Sequence, residues 1–153
     1  MSRPIAWKVA MVALRLGLGA LFVVAGVLKW ADPAGFAQEI VNYRLWPELA
    51  PYLAVVLPAI EVTAGLALLV TPRAWRQAAA AALVVLTAAF TVAVGTAVVR
   101  GLDISCGCFG GGSSRVTWLT VMRNVGLLAA AGWLVWTARD PAPPGPLAAP
   151  QPG

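Results

Sequence analysis

AAAAALVVLTAAFTVAVGTAVV, residues 78–99, decides the fold because it contains no charged residue over a length that can cross a membrane. A helix needs about 20 apolar residues to span a hydrocarbon core of about 30 Å. Three further apolar runs of similar length occupy residues 9–28, 49–70 and 116–138. The chain is 60% hydrophobic and only 11% charged, whereas soluble domains are about 25% charged. The sequence therefore predicts an all-α, polytopic membrane protein, a bundle of four transmembrane helices.

A closed β-barrel is the other fold that satisfies its backbone in lipid, but its strands alternate polar and apolar residues, and these runs do not. The membrane domain is predicted to cover residues 1–139. Residues 140–153 form a Pro-rich tail without apolar periodicity, which predicts disorder.

The first loop contains a predicted helix start, because Asp32 is a good N-cap and Pro33 a good first helical residue. Phe36, Ile40 and Tyr43 then recur at helical spacing. The pattern indicates a short interfacial helix lying along the membrane, with an ordinary ordered loop as the alternative.

The net charge of +5 comes from single basic residues at the ends of the apolar runs. This distribution is typical of membrane anchors and not of a nucleic-acid-binding face. Four spans place both termini on one side, with Arg3, Lys8, Arg73, Arg76 and Arg139, and leave Lys29, Arg44, Arg100 and Arg115 on the other. The positive-inside rule then favours cytoplasmic termini and an extracytoplasmic cysteine loop in the cell (inner or plasma) membrane.

Cys106 and Cys108, the two cysteines of the chain, follow the third span and are separated by one glycine. Such a pair can close a small, strained ring, and strained or exposed disulfides are the labile or catalytic ones. A structural disulfide stabilises by closing a long loop, and this one would close almost none. The pattern favours a redox-active pair, hence a thiol–disulfide oxidoreductase. Two inert thiols, or a soft-metal site for copper(I) or mercury, are the alternatives.

Three ionisable residues lie within the spans, and charges at such depth mark functional sites by default. By helical rise, Arg15 and Glu61 lie roughly 10 and 13 Å from the terminal side, so an ion pair between them is feasible. Arg123, next to Asn124, would then direct an uncompensated positive charge toward the cysteine loop, with no acid at its own level. That charge is suited to an anionic or carbonyl-bearing ligand such as a quinone. Alternatively, Glu61 bridges both arginines and stabilises the bundle.

Five segments carry a family resemblance: RLGLGALFVVAGVLKWADPAGF (15–36), NYRLWP (42–47), PAIEVTAGLALL (58–69), RGLDISCGCFG (100–110) and VMRN (121–124). Together they resemble the methylamine-utilisation MauE family within the DoxX-like membrane proteins. The resemblance implies a four-helix membrane bundle that acts beside a thioredoxin-like partner. Its role would be the maturation of disulfide-containing periplasmic proteins in methylamine metabolism. A non-enzymatic assembly factor or metal-handling protein is the alternative. The motif positions are Arg15, Lys29, Asp32, Tyr43, Glu61, Cys106, Cys108, Arg123 and Asn124.

Overall fold

Five α-helices account for most of residues 4–106 and 115–138, the part of the chain that the computed structural model describes. They are α1 (Ile5–Ala31), α2 (Pro33–Asn42), α3 (Ala50–Val70), α4 (Arg73–Val99) and α5 (Trp118–Ala138), with a 3₁₀ turn at Pro47–Leu49. The helices α1, α3, α4 and α5 are long and apolar enough to cross a membrane, which confirms the four predicted spans. The predicted tail, residues 140–153, lies outside the described residues.

Two of the spans begin earlier than their apolar runs. The α1 helix starts at Ile5 and the α4 helix at Arg73, directly after Pro4 and Pro72. Hydropathy marks only the part of a helix inside the hydrocarbon, whereas long basic side chains let the helix continue to the interface. The prolines set the start, because a ring without an N–H fits the first turn and not the interior.

Close backbone contact joins α1 to α3. A Cβ atom on Gly19 would lie 3.0 Å from the Gly65 carbonyl oxygen, and one on Gly65 would lie 2.8 Å from that of Gly19. Small residues allow this approach, which stabilises helix pairs in lipid. The α4 and α5 helices form the second closely packed pair, while α3 contacts α4 less extensively. The bundle is thus two tight helix pairs set side by side.

The predicted helix of the first loop is confirmed as α2. The Asp32 side chain caps it by accepting a 2.9 Å hydrogen bond from the Gly35 backbone N–H. Phe36 and Glu39 on its inner face are both buried, and α2 packs on α3. The helix therefore covers the bundle instead of presenting this whole face to lipid.

Candidate functional site

A tight turn at the end of α4 directs the chain toward Cys106. The Leu102 N–H donates to the Ala97 carbonyl and the Gly101 N–H donates to the Val98 carbonyl, both at 3.0 Å. This pair of bonds is a Schellman motif, which requires a left-handed residue at the position of Gly101, whose φ is +64°. Leu102 and Ala97 join the buried cluster around Cys106, so the turn folds the cysteine segment back onto the bundle.

The base of the cysteine loop is closed by backbone pairing. The Val116 N–H donates to the Ile104 carbonyl at 2.9 Å, and an isolated antiparallel bridge joins Ser105 to Arg115. Cys106 is disulfide-bonded and only 2% exposed. Cys108 and the ring predicted for the pair lie outside the described residues.

Tyr43 fixes the backbone of Cys106. Its hydroxyl donates a 2.8 Å hydrogen bond to the Cys106 carbonyl, and Arg100 Nη1 donates to the Tyr43 carbonyl at 3.1 Å. The pKa of Tyr43 is raised to about 12, chiefly by burial and then by the negative charge of Glu39, while the positive charge of Arg123 opposes the rise. The hydroxyl is therefore a neutral donor at physiological pH.

Arg123 reaches the cysteine segment from α5, as its level in the span predicted. Its Nη2 donates to the Cys106 sulfur at 3.4 Å. The prediction that no acid lies at this level was wrong, because the charges of Glu39 and Arg123 act on the same Tyr43 hydroxyl. The inward position of Glu39 was not predictable from sequence, since a glutamate on a short amphipathic helix usually faces water. Here α2 turns it toward the bundle.

Glu61 pairs with Lys29 and not with Arg15. Lys29 Nζ lies 2.5 and 2.6 Å from the two carboxylate oxygens, and the two side chains are only 2% and 3% exposed. Both the predicted Arg15–Glu61 pair and its alternative, Glu61 bridging the two arginines, were wrong. The buried ion pair instead joins the end of α1 to the middle of α3.

The register of α1 against α3 explains this outcome. A Cβ on Gly26 would lie 3.2 Å from the Glu61 Cβ, so these two positions are level. Lys29 is one turn later, and long helical side chains point back toward the N-terminus, which brings its ammonium to Glu61. Arg15 lies one turn before Gly19, which contacts Gly65 and Leu69. Arg15 is 11 residues before Gly26, the position level with Glu61, so it lies roughly 16 Å along the axis from Glu61 at about 1.5 Å per residue.

Lys29 was counted from sequence among the loop cations, because a lysine at the end of an apolar run usually reaches the interface. Its place among the family's motif positions was the one available signal. In the structure its Nζ also lies 5.3 Å from the ring centroid of Phe36 and 5.2 Å from that of Phe90. These distances are within the range of cation–π attraction.

A small cavity of about 40 Å³ brings several predicted residues together. Its lining includes Lys29, Glu61, Arg123 and Asn124, and also Thr87 from α4. Asn124 and Thr87 are each 4% exposed, and the cavity is of the size and polarity that buried water requires. Four of the predicted residues therefore meet at one place, namely Lys29, Glu61, Arg123 and Asn124, and Arg15 does not join them.

A larger chamber of about 420 Å³ lies beside Cys106, bounded by α2, α3 and α4. Cys106, Tyr43 and Glu39 form part of its wall, and most of the remaining lining is aliphatic or aromatic. The sequence did not predict this chamber, because it forms where the two helix pairs meet.

Comparison with known proteins places these features in context. The family model described as methylamine utilisation protein MauE matches residues 7–137, which include the cysteine loop and all of the four spans except the first two residues of α1. No solved structure gives a significant match.

Three curated proteins, each named methylamine utilization protein MauE, are similar to the chain. That of Paracoccus denitrificans is 41% identical over 122 residues, covering 78% of this chain and 64% of the relative. That of Methylorubrum extorquens is 38% identical over 121 residues, with coverages of 76% and 63%. That of Paracoccus versutus is 38% identical over 122 residues, with coverages of 78% and 64%. The match thus spans slightly less than two thirds of each relative's length.

Proposed function

Because the chain belongs to the MauE family of methylamine utilisation proteins, we propose that it is a membrane thiol–disulfide redox protein acting on a thioredoxin-like partner. The partner in turn supports the maturation of disulfide-containing periplasmic proteins in methylamine utilisation. The names of the curated relatives support the metabolic setting, and the four spans support a multi-pass membrane location. The cysteine loop faces the extracytoplasmic side in this proposal.

The observation that carries the proposal is the hydrogen bond from Arg123 Nη2 to the Cys106 sulfur, at 3.4 Å. A guanidinium in this position stabilises a thiolate, which is the reactive and the leaving form of cysteine. Hydrogen bonds to charged groups contribute about 1.5–3 kcal/mol. Arg123 therefore favours the reduced state of Cys106.

The burial of Cys106 supports different roles for the two cysteines in this proposal. Cys106 is 2% exposed, so a partner thiolate cannot reach it directly and attacks Cys108. The Cys106–Cys108 bond breaks, Cys106 leaves as a thiolate beside Arg123, and a mixed disulfide joins Cys108 to the partner. The second partner thiol then attacks this bond, loses its proton, and releases Cys108. The partner is oxidised by two electrons and the cysteine pair is reduced by two.

Trapping in cells tests the exchange and the assignment of roles. In the Cys106→Ser variant the Cys108 thiolate can attack the disulfide of the oxidised partner, which is the exchange in reverse, and one partner thiolate leaves. The mixed disulfide is expected to accumulate, because Cys106 is no longer there to attack Cys108 and release the partner. The Cys108→Ser variant keeps only the buried Cys106 and is the matched control, expected to trap much less. Absence of a mixed disulfide in both variants, with a wild-type pair that never changes redox state, would overturn the proposal.

The redox potential tests the role of Arg123. Equilibration of the purified protein with dithiothreitol, followed by thiol alkylation, measures it. Arg123→Leu removes the group that stabilises the thiolate, so the potential is expected to fall by about 30–60 mV, equivalent to about 1.5–3 kcal/mol for two electrons. Arg123→Lys keeps the charge and is expected to shift it less. An unchanged potential in Arg123→Leu contradicts this role, and stoichiometric copper with two free thiols would favour metal handling instead.

Impermeant thiol labelling of reduced protein in intact cells tests the orientation. Labelling from outside the cell membrane is expected for Cys108, and labelling only after permeabilisation would place the loop in the cytoplasm.

A further inference from the structure

The chamber beside Cys106 lies where the tight α1–α3 pair meets the α4–α5 pair. Its α3 wall includes Leu53 and Leu57, and its α4 wall includes Leu86, Ala89 and Phe90. Ala89 is exposed, and so is Leu49 at the start of the α3 wall, at 47%. The chamber therefore opens between two membrane-spanning helices, on the side that contacts lipid.

The chemistry of the lining restricts the ligand. Apolar side chains form most of the walls, and the polar groups are concentrated at the end near α2, where Glu39, Tyr43 and Cys106 lie. Small-molecule sites of about 300–1,000 Å³ commonly show this combination of apolar walls and few polar groups, and about 420 Å³ falls within that range. An acyl chain would need no polar end. An aromatic or quinonoid ring with carbonyl groups would contact both the apolar walls and the polar end of the chamber.

Two aromatic side chains separate the chamber from the buried ion pair. Phe36 and Phe90 line the chamber and also contact the Lys29 ammonium through their rings. They offer flat surfaces on which a ring-shaped ligand can stack. The Lys29–Glu61 pair thus supports one wall and stays outside the chamber.

We propose that this chamber binds a lipid-soluble quinone, with the ring at the Cys106 end and the isoprenoid chain leaving between α3 and α4. The inference rests on the proposed function, because a reduced cysteine pair needs an acceptor that takes two electrons. This site differs from the quinone site predicted from the charges within the spans, since Arg15 and Glu61 do not line the chamber.

The electron and proton balance is complete with this ligand. Cys106 and Cys108, as thiols, lose two electrons and two protons, and one S–S bond forms between them. The quinone takes up two electrons and two protons and leaves as the quinol. Glu39 is positioned at the same end of the chamber, where a carboxylate can accept and pass on a proton.

Filling the chamber tests the proposal. Ala89→Trp places an indole at its opening, and Leu53→Trp does so from the α3 wall. Ala81→Trp introduces the same side chain at an exposed position of α4 away from the chamber lining and is the matched control. Each protein is purified in lipid nanodiscs in the oxidised form, so that binding is measured without electron transfer, and titrated with decylubiquinone.

We expect saturable binding in wild type and Ala81→Trp. Ala89→Trp and Leu53→Trp should bind at least about tenfold more weakly, a loss of about 1.4 kcal/mol. With reduced protein, the chamber variants should oxidise their thiols more slowly by a similar factor, and one quinol should form per disulfide. Unchanged binding in both chamber variants would overturn the proposal.

A further competition identifies the occupant. Decylbenzene has the chain and ring without the carbonyl groups, and it should displace decylubiquinone poorly. Equal displacement would identify a general lipid site and overturn the quinone assignment. If the protein still traps its partner through Cys108 but binds no quinone, only the proposal that the chamber is a quinone site is rejected. If quinone binds but no mixed disulfide forms, the proposed thiol exchange is rejected.

Discussion

Removing one partner of the Lys29–Glu61 pair should strongly destabilise the bundle, while removing both should not. Glu61→Leu leaves the Lys29 ammonium buried without the carboxylate that binds it, and Lys29→Met leaves the Glu61 carboxylate buried without its ammonium partner. The double variant replaces two buried charges by apolar groups of similar length. A double-mutant cycle therefore separates the coupling between the two residues from the cost of each substitution.

The magnitude follows from burial and geometry. Lys29 Nζ contacts both carboxylate oxygens at 2.5 and 2.6 Å, with side-chain exposures of 2% and 3%. Removing one partner of a buried pair costs about 3–5 kcal/mol, whereas replacing both by well-packed apolar groups is often neutral or stabilising. Each single variant should lose about 3–5 kcal/mol of unfolding free energy, and the double variant should lie within about 1 kcal/mol of wild type.

Reversible unfolding in mixed micelles, followed by the helical circular dichroism signal, measures these free energies. The chain contains its own control: Arg115 Nη1 lies 3.2 Å from Asp103 Oδ2, but the side chains are 79% and 70% exposed. Asp103→Asn should change stability by no more than about 1 kcal/mol, as expected for surface pairs. The reasoning is refuted if Glu61→Leu costs as little as Asp103→Asn, or if the double variant loses the sum of the two single losses.

Two further predictions concern the tyrosine beside the cysteine segment and the α1–α3 contact. The pKa of Tyr43 rises from 10.0 to about 12 on folding. The contribution of this shift to the free energy of unfolding is therefore complete below pH 10 and is lost as the pH rises to 12. Unfolding free energy should fall by at most about 3 kcal/mol over that window, and Tyr43→Phe should lack this decline. Gly65→Ala would place a Cβ 2.8 Å from the Gly19 carbonyl and should cost about 1–3 kcal/mol, as overpacking does. Gly17→Ala, with open space around the new Cβ, should be close to neutral by the same micelle assay.

The spans and the cap of α2 could be predicted because their signals are local. Residues 78–99 contain no charged residue. Asp32 followed by Pro33 specifies a helix start that does not depend on where the helix packs. The level of Arg123 was also predictable, since the rise along a span fixes depth.

The ion pair could not be predicted, because it depends on the register between two helices. Depth placed Arg15 and Glu61 at similar levels, yet Gly26 is the position level with Glu61, and Lys29, one turn later, is the cation within reach of it. The burial of Glu39 depends in the same way on how α2 docks. The 420 Å³ chamber depends on how two helix pairs meet, which a single sequence does not specify.

The contacts of Cys106 also constrain when the site can form during membrane insertion. Its carbonyl is held by Tyr43, 63 residues earlier in the chain, and its sulfur by Arg123, 17 residues later. A nascent chain that has inserted only its first two spans has Tyr43 and the Lys29–Glu61 pair but no cysteine, and one that has inserted three has Cys106 without Arg123. The thiolate-stabilising environment therefore appears only when the last span is in place, so an incompletely inserted protein should not display the reactivity proposed for the finished one.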